Sequence, residues 1–384
     1  MRILVTDGMD KGAIEKVRAM GHELVEQFYE PDELGKALRD FDVAIIRSKT
    51  KLRAKQIDEA KGSRFKCVIR AGVGLDNIDV QYAKDNGIEV KNTPKSPSES
   101  VAELAMAHMF SCARYISIAG HSMREGKWEK KAYGKGIELT GKTLGIVGFG
   151  RIGQKLGKMA KAIGMNVIAF DIFHIPGIEE ELGIPYVEMD ELLAKSDFIS
   201  VHAPAVDGGA LINAERIAKM KDGVRGINLA RGEWVDTKAM AKALESGKVA
   251  AYVSDCASDE ILEQENAITL PHLGASTPES EDNCAKMAVY EITEYLEKGT
   301  IRNSVNFPNL KVPYEGGYRI CMIHKNIPNM IASITSVVRC NIENMGNRSK
   351  GDYAYTIIDT AEAPTEANLD ELRAIEGMIS VRTI

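Results

Sequence analysis

Three side chains in this sequence have the chemistry to work together on a carbonyl or a hydroxyl: Arg231, Glu260 and His272. An imidazole exchanges protons near neutral pH, a guanidinium polarises a carbonyl oxygen, and a carboxylate beside the imidazole holds it charged. Such a set suits a reaction in which a hydroxyl loses its proton while hydride leaves the same carbon. The surrounding pattern favours that use. Leu229-Ala230 runs into Arg231-Gly232, Ser254 into Asp255, Leu270-Pro271 into His272-Leu273-Gly274, and Val201 into His202-Ala203-Pro204. Each is an apolar run ending in polar residues, and in an open α/β sheet ligands gather beyond the carboxyl ends of the strands. His202 is expected to line a cofactor cleft or bond to backbone rather than carry protons.

The hydride acceptor has its own signature. Gly148-x-Gly150-x-x-Gly153 follows an apolar run and opens a helical pattern with Arg151 and Ile152, and the next apolar run ends in Asp171, 18 residues beyond Gly153. Gly148 suits the tight turn, Gly150 lets backbone approach a pyrophosphate, and Gly153 lets helix pack on strand. The helix N-terminus then favours the phosphates. A carboxylate at 171 bonds ribose hydroxyls and repels a 2′-phosphate, so NAD is the expected cofactor.

These groups need a scaffold. Runs at 3–5, 23–25, 43–46, 67–69 and 88–90 alternate with amphipathic stretches, predicting a parallel sheet with helices on both faces. A second series at 144–147, 167–170, 198–201, 226–229, 250–254 and 268–270 predicts another doubly wound sheet. Long helical stretches beginning near Ser98 and Glu279 join the two. The Pro- and Gly-containing stretch 306–317 reads as a linker, and strand, helix, two strands, helix and strand follow over 318–384. That βαββαβ order is ferredoxin-like. The expected organisation is therefore a flavodoxin-like domain from 1–98 plus 283–305, a Rossmann domain at 99–282, and a small C-terminal domain at 318–384.

With 384 residues, 49 Lys plus Arg against 55 Asp plus Glu, and 44% apolar residues, the chain is expected to fold into several domains. It has no basic run of the kind that marks a nucleic-acid binder and no apolar run long enough for a membrane span. Six cysteines lie scattered without metal-ligand spacing, so no metal is expected and the cytoplasm is the expected compartment.

The segments RAGVGLDNID (70–79), NTP (92–94), GIVGFGRIG (145–153), NLARGEWVD (228–236) and PHLGAST (271–277) resemble the D-isomer-specific 2-hydroxyacid dehydrogenases, and within them the branch that oxidises D-3-phosphoglycerate. The resemblance implies Arg231 as the partner of substrate carboxylate and carbonyl, His272 as acid/base and Glu260 as its carboxylate. It also implies Asp255 at the nicotinamide carboxamide, and Ala203, Pro204, Ala230 and Gly274 around the cofactor. Backbone at Val73 and Gly74 would receive the substrate carboxylate, with Arg47 and Arg70 at a phosphate. The tail resembles an ACT domain, in which His324, Asn326 and Asn341 match positions that hold L-serine in serine-inhibited relatives. The competing reading of the tail is a plain oligomerisation element; the resemblance implies a homodimer through the cofactor domain, which pairing of the tails would extend to a homotetramer. Three departures stand out: Asn329 replaces a usual glycine, Gly209 replaces a threonine, and DCASDEI lacks the family's proline, leaving Asp259 as an alternative to Glu260. An unphosphorylated 2-keto acid substrate, or NAD sensing without turnover, are the competing functions.

Overall fold

The structure is a computed structural model that describes residues 1–94, 96, 98–203 and 209–384. Two compact units emerge: Met1–Ser96 with Glu281–Ile384, and Pro97–Ser280.

The first unit opens with five parallel strands, β1 (Arg2–Val5), β2 (Glu23–Glu26), β3 (Val43–Ile46), β4 (Cys67–Arg70) and β5 (Glu89–Asn92), in the order β2-β1-β3-β4-β5. The central β3, VAII, is buried at every residue, as expected of a parallel strand covered on both faces. Arg47 directly follows β3 and Arg70 is the last residue of β4, so both stand at the carboxyl ends of strands, where ligands bind such sheets.

The second unit has six parallel strands, β6 (Thr143–Val147), β7 (Asn166–Phe170), β8 (Phe198–Val201), β9 (Val224–Asn228), β10 (Val249–Ser254) and β11 (Ala267–Thr269), in the order β11-β10-β9-β8-β6-β7. A seventh segment lies beyond β7, reduced to one parallel bridge between Ala169 and Tyr186. It is held by Ala169 N donating to Pro185 O at 3.0 Å and Val187 N donating to Ala169 O at 2.8 Å. Counting it gives the order 3-2-1-4-5-6-7, which contains the dinucleotide-binding order 3-2-1-4-5-6, with the reversal between β6 and β8. The helix Ser98–Arg114 packs against Arg151–Ala162 on one face.

The C-terminal strands β12 (Tyr318–Lys325), β13 (Ile342–Lys350), β14 (Tyr353–Thr360) and β15 (Met378–Thr383) form an antiparallel sheet in the order β13-β14-β12-β15. Helices Met330–Val337 and Glu366–Arg373 cover one face through Ile320, Met322, Ile334, Ile358 and Leu372. The other face, with Cys321, Ile323, Tyr353, Tyr355 and Ile357, shares one core with Ala288, Ile292, Tyr295, Phe307 and Val312, and with Ile3 and Ile69 of the first sheet.

This differs from the expected linker at 306–317. Phe307 is wholly buried, which is worth about 1.5–3 kcal/mol for such a side chain. Asn306 receives a bond from Val90 N at 3.0 Å and donates to Ile88 O at 2.8 Å. The prolines and glycines shape a path across the core. A buried charge cluster ties the same region: Lys91 Nζ lies 3.0 Å from Glu89 Oε1 and 3.3 Å from Glu291 Oε2, and all three side chains are fully buried.

Candidate active site

The glycine loop is shaped by its neighbours. Gly148 leaves β6 with φ +92, and a Cβ there would lie 2.6 Å from Ala203 N and 2.7 Å from the His202 carbonyl carbon. Only glycine fits this left-handed turn pressed against the end of β8. At Gly153 a Cβ would meet Gly148 O and, at 2.9 Å, Ile146 Cγ2, so helix Arg151–Ala162 can close on β6 only without a side chain there. Gly150 is the reverse: no atom lies within 4 Å of where its Cβ would be. Open space therefore faces the first turn of the helix, with exposed Arg151 and half-buried Ile152 next in line.

Asp171 follows β7 and accepts from Phe149 N at 2.7 Å through Oδ2 and from Phe173 N at 3.0 Å through Oδ1. Its carboxylate thus fastens the glycine loop to the second strand, beside the space over Gly150. A cradle that a Cβ would leave open, a helix N-terminus and an adjacent carboxylate fit a dinucleotide.

Across the strand reversal, His202 Nε2 and Ser200 Oγ share a 2.8 Å hydrogen bond, while buried Nδ1 has no partner among the described residues. Burial pushes the imidazole down to about 4, so the ring is neutral at physiological pH. His202 is thereby unsuited to donate protons. Trp234 Nε1 donates to Ala203 O at 3.0 Å and holds this turn. Pro204 lies outside the described residues.

The Arg231 turn hangs on Asn228, which is 1% exposed at the end of β9. Its Oδ1 accepts from Ala230 N at 3.1 Å, and its Nδ2 donates to Arg231 O at 2.8 Å. Reasoning from strand ends missed Asn228, because it is the last residue inside the strand rather than the first beyond it. The segment NLARGEWVD did contain it.

At β10, Asp255 is 2% exposed and accepts from Leu273 N at 2.7 Å and Gly274 N at 2.8 Å. Beyond the end of β11, His272 sits exposed with φ +55, a left-handed conformation. The expected Glu260–His272 pair is not formed, since no hydrogen bond or ion pair joins them among the described residues. Glu260 instead lies on the short helix Asp259–Leu262 and accepts from Thr237 Oγ1 at 3.3 Å. Its own backbone amide is the main cause that holds its carboxyl below the usual value.

In the first unit, a Cβ at Gly72 would overlap the Arg70 guanidinium, so Arg70 folds back over its own loop. Asn92 Nδ2 donates to Val73 O at 2.8 Å and Thr93 N to Gly72 O at 2.9 Å, fixing Val73 and Gly74 beside it. Arg47 Nη2 pairs with Glu281 Oε1 at 2.6 Å, and Asp7 Oδ2 takes its backbone N–H at 2.7 Å. A phosphate would compete with Glu281 for this guanidinium.

The three C-terminal positions are not gathered around one ligand space. His324 is 1% exposed, with Nδ1 2.8 Å from Lys325 O and Nε2 2.8 Å from Thr356 Oγ1, so its ring is already spent inside the sheet. Asn326, which donates to Gly351 O at 3.2 Å, and Asn341 are exposed. Asn329 has φ +63, and asparagine tolerates this conformation better than any residue but glycine, which explains the substitution.

Residues 106–276 match the family described as D-isomer specific 2-hydroxyacid dehydrogenase, NAD binding domain. The chain is 46% identical over 292 residues to a hydroxypyruvate reductase of Thermotoga maritima, covering 73% of this chain and 93% of that protein. It is 30% identical over 417 residues to D-3-phosphoglycerate dehydrogenase 1 of Saccharomyces cerevisiae, covering 100% of this chain and 87% of that one. It spans only 60% of the length of related D-3-phosphoglycerate dehydrogenases from Methanocaldococcus jannaschii and Archaeoglobus fulgidus. Among solved structures, a glyoxylate reductase from Paecilomyes thermophila superposes with a TM-score of 0.72 at 29% identity, over 79% of this chain and 98% of that one. With residues 106–276 matching that family and 46% identity to a relative covered over 93% of its length, the chain belongs to the NAD-binding D-isomer-specific 2-hydroxyacid dehydrogenases.

Proposed function

We propose that the chain oxidises D-3-phosphoglycerate to 3-phosphohydroxypyruvate, the first step of serine synthesis, as a cytoplasmic homo-oligomer. One observation carries the choice: the yeast relative named for this activity matches the whole chain, C-terminal strands included, whereas the Thermotoga hydroxypyruvate reductase matches 73% of it. Gly148, Gly150, Gly153 and Asp171 would hold NAD, which would supply the acceptor for the hydride leaving C2. His272 takes the hydroxyl proton at its imidazole, and Arg231 draws charge onto the forming carbonyl oxygen. Residues Val73 and Gly74 offer backbone N–H groups to the carboxylate, and Arg47 and Arg70 offer guanidinium groups to the phosphate. Glu260 acts on His272 only after its bond to Thr237 is broken.

The C-terminal βαββαβ sheet is proposed to be an ACT domain, and its effector L-serine. Asn326 and Asn341 are exposed, whereas His324 is buried, and the strand register sets Asn326 and Asn341 at opposite ends of the sheet. Titrating L-serine against initial velocity tests it, and unchanged velocity with no calorimetric binding removes the effector.

A second reading, reduction of hydroxypyruvate, is favoured by the 46% identity to the Thermotoga protein. NADH formation from D-3-phosphoglycerate, beside NADH consumption by hydroxypyruvate, separates the two. Under the leading proposal, Arg47→Met and Arg70→Met depress the first activity far more than the second. Equal loss on both substrates, or activity on hydroxypyruvate alone, supports the second reading.

A further inference from the structure

We propose that Asp255 is a positioning residue that sets the turn carrying His272, its carboxylate committed to backbone. This rests on the acid/base role given above to His272. Both carboxylate oxygens are engaged, Oδ1 by Leu273 N at 2.7 Å and Oδ2 by Gly274 N at 2.8 Å, and these are the two amides directly after His272. The carboxylate therefore grips the turn as a pair of tongs.

The need for such a grip follows from the sheet. Strand β11 is at the edge and has β10 as its one ladder partner, and it ends at Thr269. Leu270 N still bonds to Ser254 O at 2.9 Å, after which the chain leaves the ladder. His272 must then hold φ +55, a conformation unfavourable for a residue with a Cβ, which persists where surroundings impose it. Asp255 supplies that constraint from one side. From the other, the helix Ser98–Arg114 presses Val101 against Gly274. A Cβ on Gly274 would stand 3.1 Å from Asp255 Oδ2 and 3.6 Å from Val101 Cγ2, so glycine is what lets the turn settle between them.

Asp255 is itself fixed. Its N–H donates to Asn228 O at 3.0 Å, and Asn228 also holds Ala230 and Arg231. One buried pair, Asn228 and Asp255, thus places both the arginine turn and the histidine turn of the same sheet. A cofactor amide seeking Asp255 would have to share oxygens that the turn already uses.

The test is Asp255→Asn, which leaves an acceptor for one amide and turns an N–H donor toward the other, with His272→Gln and Gly274→Ala alongside. If Asp255 positions His272, kcat falls about 100-fold, as expected for an ångström-scale misplacement. The loss persists at saturating NAD, so it lies in kcat and not in cofactor affinity. In cofactor-free enzyme the His272 imidazole resonance, assigned with His272→Gln, shifts in Asp255→Asn. Gly274→Ala crowds the carboxylate without removing it and reproduces the kcat loss, which keeps the test intact should Asp255→Asn fold poorly. A variant that weakens NAD by more than tenfold, holds kcat at saturating NAD and leaves the apo His272 resonance unmoved overturns the proposal. If His272→Gln itself retains full kcat, the acid/base assignment fails instead, and the two failures are told apart.

Discussion

Replacing Lys91 by methionine would leave two carboxylates buried without their shared cation. In the native cluster Lys91 Nζ stands 3.0 Å from Glu89 Oε1 and 3.3 Å from Glu291 Oε2, donates to Arg302 O at 3.0 Å, and lies 5.4 Å from the Tyr295 ring centroid. All three charged side chains are fully buried, so water does not compensate a missing charge. Breaking a pair of this kind typically costs 3–5 kcal/mol, and we expect about 4 kcal/mol for Lys91→Met at pH 8. The pH dependence carries the sign. Burial already raises the Glu89 carboxyl above its usual value, and loss of Lys91 raises it further. A carboxyl raised in the folded state keeps a proton that the unfolded chain releases, so stability falls as pH rises through the folded value. The penalty should accordingly shrink by about 1 kcal/mol or more at pH 5, one pKa unit being worth 1.36. Urea unfolding followed by far-UV circular dichroism is the assay. Tryptophan fluorescence would report the other unit, because Trp128 and Trp234 both lie in 97–280. A loss under 1 kcal/mol, or an equal loss at both pH values, would refute the view that Lys91 compensates these carboxylates.

Three further outcomes are expected. The depressed His202 imidazole, at about 4 against an ordinary 6.5, confers no penalty above pH 6.5 and costs up to about 3 kcal/mol as pH falls toward 4. Replacing it with glutamine should flatten that part of the stability profile, and an unchanged slope between pH 7 and pH 5 would assign the acid sensitivity elsewhere. Gly148→Ala should cost 1–3 kcal/mol of strain at φ +92 and weaken NAD at least about tenfold in calorimetry, and an unaltered dissociation constant would reject the close fit to Ala203. Gly72→Ala should displace the Arg70 guanidinium and, under the proposed function, lower turnover of D-3-phosphoglycerate more than that of hydroxypyruvate, which parallel assays would check.

The parts of this protein that the sequence announces are those with strong local chemistry. Gly148, Gly150, Gly153 and Asp171 are legible because a turn, an approach and a helix contact each demand one residue type. The strands of both parallel sheets show as β-branched runs for the same reason. The segment around Tyr186 does not, since a single bridge needs no apolar run. The absence of a Glu260–His272 bond was not readable either, because Thr237 takes Glu260 through a contact that spacing does not encode. A clue to the merged core was present in β12, where Ile320 and Met322 alternate with Cys321 and Ile323. Both faces of that strand are apolar, and a sheet covered by helices on one side needs only one. Reading the prolines of 306–317 as a linker hid what the second face was for.

That merged core limits where this chain can be cut or loosened. Removing everything after residue 317 would strip Cys321, Ile323, Tyr355 and Ile357 from Tyr295, Phe307 and Val312, and would take away Arg382, whose guanidinium donates to Tyr295 O at 2.8 Å and sits 4.3 Å from the Tyr295 ring centroid. What remained would present an oily wound to water on the helix Pro278–Lys298. The C-terminal strands therefore behave as a keystone: their inner face rests on Ile3 and Ile69 of the first sheet and on Tyr295, whose ring lies 5.4 Å from Lys91 Nζ near the end of β5.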